Sequence, residues 1–255
     1  MLILGGTSEA RSLADQLVEA GLSVTSSLAG RVVDPALPLG EVRIGGFGGP
    51  AGLDDYLRRN DIAAVVDATH PFATTISAAA ITACAASSVP LLRLTRPGWT
   101  THPDAGSWRW VDTHADAAVA ARELGARIFL TTGRTTLPSF TALSDLFVLV
   151  RLVDAADRPL PTGWEVIRAR GTYTVDGETR LMTTNGIDVL VTKDSGGAMT
   201  APKLAAAARI GVSTVVVRRP VVAGSADVAQ VCTVGQAVQW ILRRVETYGT
   251  TQASS

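Results

Sequence analysis

Short apolar runs alternate along this chain with longer amphipathic ones, and that alternation restricts the fold more than any other feature. Leu2-Ile-Leu4, Leu91–Leu94 and Val189–Thr192 are too short for helices and apolar almost throughout, as strands buried on both faces must be. Between them, stretches such as Ser8–Ala20 repeat apolar residues at helical spacing. Strand, crossover helix, parallel strand is the βαβ unit.

Further strands are predicted at Val24–Leu28, Val42–Ile44, Ala63–Asp67, Trp108–Val111, Ile128–Thr131, Phe147–Leu152, Glu165–Ile167 and Thr214–Arg218. Helices are predicted at Ala51–Asn60, Phe72–Ser88, Ala115–Leu124, Val175–Thr184, Ala201–Ile210 and Val234–Val245. Turn formers cluster between Arg96 and Gly106, which places a domain boundary there. The expected fold class is α/β: two Rossmann-like, doubly wound parallel-sheet domains facing a shared cleft. The first is expected over residues 1–100 and the second over 101–248, with 249–255 a flexible tail.

Composition agrees. Hydrophobic residues make up 47% and charged ones 18%, enough apolar surface for a sizeable core. The 23 basic and 23 acidic residues cancel, so neither nucleic acid nor a membrane surface is an expected partner. Cys84 and Cys232 are too few for a disulfide framework or a zinc site. No apolar run reaches spanning length, and the opening apolar run stops at Gly5. A cytoplasmic protein is expected.

Leu4-Gly5-Gly6-Thr7-Ser8-Glu9-Ala10 is a buried strand feeding straight into a helix, where a dinucleotide pyrophosphate would meet unpaired N–H groups. In the dinucleotide-binding frame it reads Gly5-x-Thr7-x-x-Ala10, with Thr7 and Ser8 offering hydroxyls and Ala10 small enough for close packing. Any first βα turn needs a glycine and a cap, so the turn alone does not establish cofactor binding. The end of the second strand adds to it. Ser27 and Arg31 stand there with no acid before Asp34, a pattern that suits a 2′-phosphate rather than a free ribose hydroxyl. The third strand runs into Gly45-Gly46-Phe47-Gly48-Gly49, which either lets backbone and ring approach a flat ligand or is merely a flexible loop.

The fourth strand ends in Asp67-Ala68-Thr69-His70-Pro71-Phe72. Pro71 is expected to open the next helix, with Thr69 near its cap and His70 directed at the nicotinamide end of a dinucleotide. His70 then either gives a proton, contacts an anion, or only shapes the loop. His102 and His114 carry no motif and are expected at the surface.

The order of these motifs resembles the precorrin-6A reductase family. The resemblance rests on Gly5-Gly-Thr-x-Glu-Ala-Arg11, Gly45-Gly-Phe-Gly-Gly49, Asp67-Ala-Thr-His-Pro-Phe-Ala73, Arg93-Leu-x-Arg96-Pro-x-Trp99, Thr132-Gly-Arg134, Lys193-Asp-Ser-Gly-Gly197, Lys203 and Arg219-Pro220. It implies NADPH on the first domain, no flavin or metal, and a tetrapyrrole substrate. A hydride would go to one carbon of a C=C bond of precorrin-6A and a proton to its neighbour, giving precorrin-6B in cobalamin biosynthesis. Oligomeric state is not legible.

A substrate with many carboxylate arms needs cations. Arg93, Arg96, Arg134, Arg151, Arg170 and Lys193, with Ser195, are the candidate substrate contacts, although a solvated surface charge is the commoner fate of such residues. Lys193 follows a buried strand, so it is either the acid or a partner for a carboxylate arm. Asp194 orients Lys193 or caps the glycine turn. Two other functions fit the first domain: reduction of a smaller anionic imine or acid by NADPH, and non-catalytic sensing of NADP.

Overall fold

The computed structural model describes residues 1–30, 37–169 and 171–252, with side chains as far as residue 244. The chain forms two compact units, one of Met1–Arg96 with the stretch from Pro220 onward, the other of Pro97–Arg219.

In the first unit β1 (Leu2–Leu4), β2 (Thr25–Leu28), β3 (Glu41–Ile44), β4 (Val65–Asp67) and β5 (Leu91–Leu94) lie parallel, in the order β5-β4-β1-β2-β3. Side chains alternate across a strand. Ile3 therefore faces α1 (Ser8–Glu19) with Leu13, Ala14 and Leu17, while Leu2 and Leu4 face α2 (Pro50–Arg59) and α3 (Thr74–Ser87) with Leu53, Leu57 and Ala80. Both faces are covered, which is why these strands read as continuous apolar runs.

The second unit holds β6 (Arg109–Val111), β7 (Arg127–Leu130), β8 (Phe147–Leu152), β9 (Trp164–Arg168), β10 (Val189–Lys193) and β11 (Ser213–Val217), all parallel, in the order β6-β11-β10-β7-β8-β9. Helices α4 (His114–Leu124), α5 (Val175–Thr184) and α6 (Pro202–Ile210) connect its strands, and a 3₁₀ stretch over Arg134–Leu143 replaces the helix after β7. Pro138 inside that stretch removes a helical N–H.

The expected boundaries need correction. A twelfth strand, β12 (Ala229–Val231), adds to the first sheet beside β5 with Val231 opposite Leu94, giving the doubly wound order 3-2-1-4-5-6. The helix that follows, α7 (Val234–Gln252), lays Ala237 and Ile241 against the α1 face. Residues from Pro220 thus return to the first unit, and the sixth position of the second sheet is filled by β6 from that unit's own beginning. Ala229-Gln-Val231 is too short to show a period, so nothing local revealed the return. Of the flexible tail expected over 249–255, the first four residues are helical instead, because α7 continues through Gly249 to Gln252. One glycine lowers helix propensity by about 1 kcal/mol without abolishing the helix. Residues 253–255 lie outside the described residues.

Candidate active site

Doubly wound sheets bind ligands beyond the carboxyl ends of their strands, and the chemistry-bearing residues of each unit collect there. After β1, the Gly5 amide donates to the Ser27 carbonyl at 2.9 Å, and Gly6 turns the chain with φ +106°, a conformation open mainly to glycine. Thr7 caps α1: its hydroxyl accepts from the Ala10 amide at 3.1 Å and donates to the Ala68 carbonyl at 2.8 Å. A hydroxyl has a single proton. Thr7 therefore anchors the turn to the β4 loop instead of offering that proton to phosphate. Ser8 likewise donates to Glu9 at 3.1 Å. What the turn can present to an anion is the backbone amides that precede Glu9, because the Ala10 amide is held by Thr7 and the Glu9 amide by its own carboxylate.

Glu9 is held by Arg96 at 2.7 Å. Partial burial pushes its carboxyl upward, but its backbone hydrogen bond, Arg96 and Ser8 outweigh that and hold it below the usual carboxylate range. Arg96, expected against substrate, thus neutralises an acid on the first turn of α1. Arg93 is committed similarly. It stands opposite the buried Asp67 in the β4–β5 register, 3.4 Å from the carboxylate, and is itself largely covered.

The other Asp67 oxygen accepts the Thr69 amide at 3.1 Å and its hydroxyl at 2.6 Å. Thr69 therefore folds back on β4 and caps no helix. Pro71 does not open α3. It sits second in a turn closed by the Ala73 amide on the His70 carbonyl at 2.7 Å, and α3 begins at Thr74. Proline's fixed φ suits both positions, so the sequence did not separate them. His70 Nδ1 accepts the Phe72 amide at 3.2 Å, which puts the proton of the neutral ring on Nε2.

At the ends of β2 and β3, Ser27 stands opposite Arg43, which the sequence reading missed. Arg43 donates to Ser27 Oγ at 3.1 Å and to the carbonyls of Gly45 and Gly46 at 2.8 and 2.9 Å, and lies 3.8 Å over the Phe47 ring. Arg31 lies outside the described residues, as does Arg170 of the second unit.

In the second unit, Gly133 (φ +94°) follows β7, and a Cβ there would come within 3.9 Å of Lys193 Nζ at the end of β10. Two of the predicted segments, Thr132-Gly-Arg134 and Lys193–Gly197, therefore meet. Arg134 is 3.2 Å from Asp157. Asp194 does not fill the role expected of it. Its carboxylate accepts the Trp99 amide at 2.9 Å and lies 3.4 Å from Arg219 Nε, while Gly98 has no Cβ because one would lie 2.6 Å from Asp194 Oδ2. Asp194 is a buried clamp on the segment entering this unit. Ser195 is buried against Thr200 at 3.1 Å. Arg151 is bound up in a partly buried pair with Glu178 at 2.7 Å, beneath Tyr173 and over Phe129.

Three further residues had no role assigned from the sequence. His114, expected at the surface, packs edge-on to Phe140, and burial followed by the Lys193 charge lowers its pKa. His102 packs on Trp108 with its side chain one quarter exposed. Lys203, near the start of α6, is 6% exposed. Burial first, then the charges of Arg151 and Lys193 against the opposing Glu178, bring its pKa down to about 7. A lone lysine in the Ala-rich segment Pro202–Ala208 was the available signal. Among the described residues no group of three or more His, Cys, Asp or Glu is placed to hold a metal ion.

Two all-parallel six-stranded sheets, one with a glycine turn at β1 and one with cations at its strand ends, define a two-unit Rossmann-like α/β protein. The chain belongs to the precorrin-6x reductase CbiJ/CobK family, whose model matches residues 1–242. It is 47% identical to a precorrin-6A reductase of Rhodococcus erythropolis over 86% of this chain and 89% of the relative. A solved structure of CobK precorrin-6A reductase is similar with a TM-score of 0.86 at 39% identity, covering 95% of this chain and 96% of that one. A cobalt-precorrin-6A reductase of Priestia megaterium is 32% identical over 86% of this chain and 90% of the relative.

Proposed function

We propose that the protein uses NADPH to reduce one C=C bond of the precorrin-6A macrocycle, giving precorrin-6B in cobalamin biosynthesis. The observation that carries the reading is the β1–α1 turn of a 3-2-1-4-5-6 sheet. Gly6 and the amides ahead of Glu9 there suit an anion, and the cation Arg43 stands two strands away, which supports the reading. The first unit holds the dinucleotide through Gly5–Ala10, Ser27, Arg31, Gly46, Phe47 and the Thr69–Pro71 loop.

The second unit takes the tetrapyrrole. Lys193 and Arg134, with Arg170, receive its carboxylate arms. Lys193 is the proposed proton donor and His70 the second candidate, its Nε2 carrying the transferable proton. Direct hydride addition needs neither flavin nor metal. The higher identity to the relative named for precorrin-6A than to the one named for cobalt-precorrin-6A favours the metal-free macrocycle. No helix among the described residues is long and apolar enough to cross a membrane, and we assign the enzyme to the cytoplasm.

The test is anaerobic incubation of metal-stripped, flavin-free protein with precorrin-6A and either NADPH or NADH. Loss of one NADPH per macrocycle with a gain of two hydrogens in the product is expected. Failure to turn over without added flavin or metal overturns the direct-transfer reading, and equal rates with NADH overturn the NADPH preference.

A further inference from the structure

We infer that Arg43 is the group that reads the 2′-phosphate of the dinucleotide, and that the Gly45–Gly49 loop exists to lock it; the inference rests on the NADPH reading above. In a sheet of this order, the adenosine ribose lies off the carboxyl end of the second strand, and a nearby arginine accommodates a 2′-phosphate. Arg43 is paired in register with Ser27 at that strand end.

The geometry is that of a guanidinium held ready. Gly45, with φ +119°, turns the chain so that its own carbonyl and that of Gly46 come back onto Arg43. The Gly52 position, where a Cβ would lie 1.8 Å from the Phe47 carbonyl, lets the loop press against α2. Phe47 supports the guanidinium from below and is itself braced edge-on by Tyr56, ring centroids 5.2 Å apart. The loop expected to approach a flat ligand thus also cages one cation.

What the cage leaves open decides the ligand. A guanidinium has five N–H donors. Two on Nη1 go to Ser27 and Gly45, and one on Nη2 goes to Gly46. The remaining pair, on Nε and Nη2, lies along one edge, the fork that matches two phosphate oxygens. Among the described residues neither donor of this pair has an acceptor, and no carboxylate lies within 4.0 Å of Arg43. Ser27 Oγ accepts from Arg43, so among the described residues its own proton is also available to an oxyanion.

The test is calorimetric titration of the full-length protein with 2′,5′-ADP and with 5′-AMP, which differ at the 2′-phosphate. The wild type is expected to bind 2′,5′-ADP more tightly, and Arg43→Gln to lose roughly 10- to 100-fold for it with 5′-AMP nearly unchanged. Arg43→Lys, which keeps the charge but not the fork, should lose part of that preference. If the wild type does not prefer 2′,5′-ADP, the NADPH reading itself fails. If it does and both Arg43 variants keep the full preference, or if Arg31→Gln alone abolishes it, only the assignment to Arg43 fails.

Discussion

Replacing Lys203 by methionine is expected to stabilise the protein strongly in mild acid and much less in base. The residue is 6% exposed and its amine lies 5.6 Å from the centre of the Trp99 ring, with no hydrogen bond among the described residues. Its neighbours are two cations, Arg151 and Lys193, and Glu178, whose carboxylate is already paired with Arg151. Burial is the main reason its pKa falls from 10.5 to about 7. Between those two values the unfolded chain keeps a proton that the folded protein has released, so stability rises with pH across that window. Below it the fold carries a buried ammonium. At ~1.36 kcal/mol per pH unit the penalty is at most about 5 kcal/mol at pH 6, falling to about 2 kcal/mol at pH 9. Methionine fills similar space without the charge and forfeits about 1 kcal/mol of cation–π attraction to Trp99. Urea unfolding at both pH values, followed by tryptophan fluorescence, measures the difference. Trp99, Trp108, Trp110 and Trp164 report on the second unit, where Lys203 sits. An equal effect of the substitution at pH 6 and pH 9 would refute the reasoning, because only the titration of this amine makes the two differ.

Three more predictions follow from the site. Lys193→Met should cut turnover roughly a hundredfold or more with NADPH binding nearly unchanged if Lys193 is the acid, and Lys193→Arg should be equally slow because arginine keeps its proton; near-normal turnover in Lys193→Arg ends that role. Gly133→Ala, at φ +94° and facing Lys193 Nζ, should cost about 1–3 kcal/mol and raise the Michaelis constant for the macrocycle, read from denaturation midpoints and steady-state kinetics. Glu9, depressed in the fold, contributes stability that is present above its ordinary 4.5 and lost as pH falls through the folded value. Glu9→Gln should therefore flatten the acid limb of the stability curve below pH ~5 while leaving its slope near neutrality unchanged.

The βα rhythm, the glycine turn at Gly5–Gly6 and the strand-end lysine at Lys193 were legible in the sequence because each is local. Strands buried on both faces must be apolar throughout, a tight strand-to-helix turn must carry glycine, and a charge after a buried strand must emerge at its end. Tertiary structure decided how the polar groups were used. Thr7 has one proton, and only the position of the Ala68 carbonyl, 61 residues away, shows that it is spent there. Arg93, Arg96 and Arg151 look like substrate cations until Asp67, Glu9 and Glu178 are seen opposite them. Arg43 looks like an ordinary strand residue until the loop after it bends its carbonyls back. The return of Ala229–Val231 to the first sheet was equally hidden, since edge pairing is a property of the partner strand and not of three residues. Periodicity and turn chemistry act within a few residues, whereas charge pairing, burial and strand order depend on groups tens of residues apart.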